Sequence, residues 1–304
     1  MPNMLLLLSV TLVAPTSPAG SPLAGADTTR VVMLGTGTPN PDPERSGPAV
    51  AIVAGGTAYL VDAGPGLVRR AAAAAGSGRT ALEASRLGIL FLSHLHSDHT
   101  AGLSDLIHTG WVAGRMAPLR VFGPPGTVAM AGHLTEAYGA DIANRTGGLQ
   151  PHTPNGWRVE AREIVPGLIY RDSLVSVTAI QVPHDGWATS FGFRFQTRDR
   201  VIVVSGDATP SNALADACNG CDVLVHEVYS TKGFATRTPD WQRYHADAHT
   251  STAQLAALAR RARPKLLVLY HQLYWGATDE DLIREIRAAG YSGAVVSARD
   301  LGVY

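Results

Sequence analysis

The sequence predicts a layered α/β protein built on two sheets. Short apolar runs alternate with helical stretches, the alternation occurs in both halves, and no Pro- or Ser-rich linker divides them after residue 27. The chain has 304 residues, 45% hydrophobic and 16% charged, which is enough apolar side chain to bury a full core. Disordered, collagenous and coiled-coil classes are thereby excluded. The 25 basic and 25 acidic side chains cancel, which argues against nucleic-acid binding through a broad basic surface but leaves a local patch open. No fixed-period repeat occurs, so a solenoid is excluded as well.

Met4 to Val13 is an uncharged apolar run, followed by Pro/Ser/Gly-rich sequence and Ala24-Gly25-Ala26. It reads as a secretory signal over residues 1–26, although no Lys or Arg precedes Arg30, and it is too short to anchor the chain in a bilayer. The expectation is an exported protein, periplasmic or extracellular, with residues 27–304 as its one folded domain and no membrane span. Strands follow at Arg30–Leu34, Ala49–Val53 and Ala58–Val61, the last two joined by a Gly-Gly turn of hairpin type. Leu67–Ala75 reads as a helix, Ile89–Leu92 as a buried strand, Thr100–Thr109 as a helix, Leu119–Phe122 as a strand and Val128–Tyr138 as a helix. The second half repeats this logic, with strands at Val175–Val182, Ser190–Phe195, Val201–Val204, Val223–Val225, Leu266–Leu269 and Ala294–Ser297. Its helices lie at Thr252–Ala262, ended by Pro264, and at Asp279–Ala288.

Eleven histidines against two cysteines mean that any metal is held by imidazole and carboxylate. Cys218 and Cys221 close a small disulfide loop or remain two ordinary turn residues. The chemistry concentrates where the strand Ile89–Leu92 runs into His94-Leu95-His96-Ser97-Asp98-His99. On extended backbone His94 and His96 face one point, while Asp98 and His99 lie at the turn into a helix and reach a second. Three imidazoles and a carboxylate at a strand end suit a pair of divalent cations.

His-x-His-x-Asp-His is the signature of the metallo-β-lactamase superfamily, and residues 30–304 resemble it, most of all the branch of tRNase Z, arylsulfatases and small phosphodiesterases. Leu34-Gly35-Thr36-Gly37-Thr38-Pro39, Arg45-Ser46-Gly47-Pro48 and Val61-Asp62-Ala63-Gly64 are similar to that branch's early motifs. The resemblance implies a four-layer αββα sandwich with the site at one edge between the sheets, and Asp62 as buried organiser of the metal loop. It implies two Zn2+, one on His94, His96 and His184, the other on Asp98, His99 and His271, with Asp207 shared; Mn or Fe would use the same donors. A bridging hydroxide would be the nucleophile and Asp98 its proton acceptor. Leu224-Val225-His226-Glu227-Val228 and Ala248-His249-Thr250-Ser251-Thr252 resemble the branch's paired motifs, which implies that Glu227 orients His249 and raises its basicity, and that His249 protonates the leaving oxygen. His226 and His245 receive no role.

The tRNA-processing members of the branch carry a long arm between the equivalents of His184 and Asp207, which here stand 23 positions apart. The expected function is therefore hydrolysis of a small anionic ester, a phosphodiester or an aryl sulfate. A lactonase or β-lactamase is the alternative; tRNA 3′-end cleavage and a non-catalytic metal-binding protein rank last. Core packing is the expected fate of most of Trp111, Trp187, Tyr229, Phe234, Trp241, Tyr274 and Trp275, the rest walling a pocket for an aryl or nucleobase leaving group. Ser230–His245, with Lys232, Arg237 and Arg243, reads as a loop over the site in which one cation binds the anion. A homodimer remains open.

Overall fold

Along the first strand alternate side chains enter two different apolar clusters, Val31 and Met33 one of them, Val32 and Leu34 the other, all fully buried. A strand with opposite faces in two cores must lie inside a stack of layers. A computed structural model describes residues 28–304 and shows that stack; the signal expected over residues 1–26 lies outside them.

The first sheet takes its strands in chain order: β1 (Arg30–Gly35), β2 (Ala49–Ala54), β3 (Thr57–Val61), β4 (Ile89–Phe91), β5 (Leu119–Gly123) and β6 (Val159–Glu163). β1 to β3 pair antiparallel and β3 to β6 parallel. The β2–β3 turn is Gly55-Gly56, both at positive φ (51° and 79°), the geometry a two-residue hairpin demands. The second sheet runs from β7 (Gly167–Arg171) through β8 (Val175–Val182), β9 (Ser190–Thr197), β10 (Val201–Val204), β11 (Val223–Tyr229) and β12 (Leu266–Leu273) to β13 (Val295–Ser297). Its β7–β10 half is antiparallel and its β10–β13 half parallel.

The helices are α1 (Leu67–Gly76), α2 (Ser97–Thr100), α3 (Leu103–Val112), α4 (Thr127–Ala137), α5 (Gly139–Gly147), α6 (Asn212–Cys218), α7 (Thr231–Phe234), α8 (Pro239–Ala248), α9 (Thr252–Ala262) and α10 (Asp279–Ala288). α1 and α3 cover the outer face of the first sheet; α6, α9 and α10 cover that of the second. Between the sheets Phe91 packs against Phe122, Tyr170, Phe193 and Phe195, with ring centroids 5.3 to 5.8 Å apart. Each fully buried ring contributes roughly 1.5–3 kcal/mol, and together they clamp the strand ends that carry the site. The αββα sandwich expected from the resemblance is the observed fold.

Several elements differ from the sequence reading. Ser230–His245 is two helices, not a loop: Ser230 Oγ accepts from Gly233 N at the start of α7, and Pro239 occupies the first turn of α8, where its missing N–H costs nothing. The helix after the metal motif is split into α2 and α3. The edge strands β6 and β7 and the short helix α6 carry too little apolar periodicity to stand out, and α5, with Gly at both ends and Ile142 as its one buried residue, lacks the apolar content that marks a helix. Cys218 and Cys221 form a disulfide at the end of α6. No helix among the described residues is long and apolar enough to cross a membrane.

Candidate metal centre

Parallel strands bring their C-terminal ends to one edge, and the candidate residues sit there. His94 to His99 follow β4, His184 follows β8, Asp207 follows β10, and Glu227 and His271 belong to β11 and β12. The β11–β12 register passes from Glu227↔Tyr270 to Val228↔Gln272, so His271 is the extra residue of a bulge, at φ 45°. The bulge turns its imidazole towards the site. Gly206, at φ 61°, lets the Asp207 loop run against the motif loop, since a Cβ there would stand 2.6 Å from the Phe191 carbonyl oxygen and 2.7 Å from Ser93 Cβ.

Among the described residues the donor atoms gather into five overlapping triads, two of which are the sets that the resemblance implies. His94, His96 and His184 form one; Asp98, His99 and His271 form the other. In the first, His96 Nδ1 lies 2.9 Å from His94 Nε2 and 3.3 Å from His184 Nε2. Asp207 reaches both groups, 3.4 Å from His99 Nε2, 3.5 Å from His271 Nε2 and 4.0 Å from His94 Nε2. The tautomers are set from behind: His184 Nδ1 donates to the Ala248 carbonyl at 2.7 Å, His94 Nδ1 to Ser93 Oγ at 3.0 Å, and His99 Nδ1 to Asp62 Oδ2 at 2.9 Å. In each ring Nε2 is left to face the site. Asp62, itself at φ 61°, also accepts from the Ser93 N–H and hydroxyl at 2.7 and 2.9 Å. Asp62→Ala is expected to cost roughly 2–4 kcal/mol and to weaken metal binding ~10–100-fold, checked by thermal denaturation and zinc titration.

The electrostatics fit a cation. Burial holds the His94, His96 and His184 rings below their ordinary pKa, so each offers a lone pair. Against burial, Asp207 with Asp62 raises His99 well above its usual value, and Asp207 with Asp98 raises His271. His99 Nε2 and Asp207 Oδ1, both buried, make no hydrogen bond, and a divalent ion would satisfy them.

Trp187 adds a contact absent from the sequence reading: its indole N–H donates to His96 Nε2 at 2.9 Å. A histidine whose Nδ1 gives its lone pair to a cation carries its proton on Nε2 and can no longer accept there. Zinc loading is therefore expected to release the indole and change tryptophan emission, and Trp187→Phe to remove most of that change. Equal changes in both proteins would rule the coupling out.

His249 is buried beside this cluster, its Nδ1 3.5 Å from Glu227 Oε2 and 3.9 Å from Asp207 Oδ2. The two site residues meet, but at a distance too long for a hydrogen bond; Glu227 Oε1 instead accepts from Thr250 N at 2.8 Å. Burial pushes His249 down to about 4, opposite in direction to the expected gain in basicity, while burial and the Asp207 charge hold Glu227 well above the carboxylate range. Asp98, Asp207, His249 and His271 line a cavity of about 440 Å³ whose far wall is Arg237, Trp241, Tyr244, His245 and Trp275. Tyr244 and His245 were missed as wall residues because their spacing from Trp241 marks one face only once α8 is known to be a helix. His226 is buried away from the cavity, its Nδ1 donating to the Glu227 carbonyl at 2.7 Å. Trp111 is a core residue bonded to the Thr153 carbonyl.

An αββα sandwich with a His/Asp cluster at its edge defines a class of metal-dependent hydrolases. The chain matches the Beta-lactamase superfamily domain over residues 57–272 and belongs to that superfamily. It is 35% identical over 281 residues to a protein named Ribonuclease Z from Mycobacterium bovis (strain BCG / Pasteur 1173P2), covering 89% of this chain and 96% of that one. Its fold is shared with the metallo-β-lactamase-fold protein YhfI of Bacillus subtilis (TM-score 0.67, 17% identity, 91% of this chain and 99% of that one). It is shared equally with human tRNase Z, short form (TM-score 0.64, 22% identity, 90% and 98%). The mycobacterial relative overturns the ranking that favoured a small phosphodiester or sulfate ester and placed tRNA cleavage among the last readings. That ranking rested on the missing arm together with the balanced charge and the expected export, and 35% identity over 89% of this chain and 96% of the relative outweighs all three.

Proposed function

We propose that this chain is a metal-dependent ribonuclease that hydrolyses a phosphodiester bond at the 3′ end of a tRNA precursor. The observation that carries this is the 35% identity to a Ribonuclease Z over 89% of this chain and 96% of the relative. The donor set favours two Zn2+, one on His94, His96 and His184, the other on Asp98, His99 and His271, with Asp207 serving both. Bound cations would supply the Lewis acidity that neutralises phosphate charge and makes water acidic near neutral pH.

The chain's own groups do the rest. Asp98 Oδ2, 3.2 Å from His271 Nε2, is the carboxylate at the mouth of the site and accepts the proton of the attacking water. Against burial, its hydrogen bond to His271 and the charge of His99 keep it ionised and below the usual carboxylate range. His249 serves the leaving oxygen. Neutral in the free protein, it gains basicity when a phosphodiester brings negative charge beside it, with Glu227 Oε2 standing 3.5 Å from its Nδ1.

The test is incubation of zinc-loaded protein with a 3′-extended tRNA transcript. Chelator-sensitive cleavage at one position near the 3′ end is the expected result. A protein that hydrolyses bis(p-nitrophenyl) phosphate but leaves the transcript intact would overturn the proposal.

A further inference from the structure

Of the three cations between Ser230 and His245, Arg243 pairs with Asp240 at the surface and Lys232 does not line the cavity. Arg237 does. Its guanidinium lies 5.8 Å from the Trp241 ring and 5.6 Å from that of Trp275, and its buried Nε has no hydrogen-bond partner. No carboxylate pairs with it among the described residues. A cation fixed between two indoles, without a counter-ion and beside a catalytic cavity, is a preformed place for an anion. Next to it His245 stacks on Trp241, with ring centroids 5.4 Å apart and planes 20° apart, while Trp241 remains 49% exposed. The same wall reaches the leaving-group side of the site, because His245 and Tyr244 lie 5.5 and 6.2 Å from His249.

We propose that Arg237, Trp241 and Trp275 form a subsite for the nucleoside that carries the leaving oxygen, Arg237 meeting a phosphate oxygen and Trp241 stacking on the base. This rests on the ribonuclease reading and adds how the RNA is gripped without an arm. Stacking tolerates any base, so the subsite selects a nucleoside over a bare phosphate ester rather than one base over another.

The test is calorimetric titration of the zinc-loaded chain with AMP and with ribose 5-phosphate, which share the phosphate and differ in the base. AMP is expected to bind ~10-fold tighter or more, Trp241→Leu to erase that preference, and Arg237→Gln to weaken both ligands by a similar factor of ~10. Equal affinities in the unsubstituted protein, or a preference that survives Trp241→Leu, would overturn the subsite. Loss of RNA cleavage by the unsubstituted protein with the AMP preference intact would sink the ribonuclease reading alone. RNA cleavage with kcat/KM unaltered in Trp241→Leu would sink the subsite alone.

Discussion

Zinc-reconstituted Asp207→Asn protein is expected to hold fewer cations per chain and to cleave RNA at least ~100-fold more slowly. Among the described residues Asp207 is the one carboxylate within 4.0 Å of His94, His99 and His271 together, so its charge reaches both donor groups. Replacing even an outer partner of a metal ligand commonly costs 10–100-fold in affinity, and removing a charge shared by two groups should exceed that. The amide keeps the shape of the side chain, so loss by misfolding is minimised. Metal content by atomic emission and cleavage of a 3′-extended transcript check the expectation together. Full metal content with full activity would remove Asp207 from the centre.

His249→Ala is expected to lower RNA cleavage by ~100-fold or more, with metal content unchanged. The loss should be much smaller on bis(p-nitrophenyl) phosphate, whose p-nitrophenoxide departs without needing a proton. That contrast separates a proton donor from a ligand, which matters because His249 also lies within ligand reach of His184 and Asp207 and of Glu227 and His271. A fall in metal content would make His249 a ligand. An equal loss on both substrates would make it a charge stabiliser instead.

Much of this site was legible because its information is local. His94 and His96 stand two apart on extended chain, which alone directs both rings to one side. Buried runs such as Val201–Val204 and Leu266–Leu269 read as strands from composition, and the residues just past or within them had to lie at one sheet edge. The left-handed conformations of Asp62 and His271 were not legible. Nor was the bulge at Glu227/Val228, because a register shift exists only between two strands. α8 was hidden for another reason: Trp241, Tyr244 and His245 are the apolar face of a helix whose other face is charged, and beside a Pro they resemble loop composition.

The substrate was misjudged on the short connection, the balanced charge and the expected export taken together. The 22 residues between His184 and Asp207 leave no room for a long arm, but that does not exclude RNA when a cation and aromatic rings line the cavity itself. The sequence by itself determined the layered fold and the local cluster His94 to His99, since these follow from periodicity and from chemistry within a few residues; His184, Asp207 and His271 came from the family resemblance. Only the tertiary structure decided that His184, Asp207 and His271 gather around that cluster, that Glu227 stands 3.5 Å from His249 rather than bonded to it, and that Trp187 touches His96. The reason is physical: side-chain direction is set along each strand, but the gaps between strands are set by how two sheets and their bulges pack.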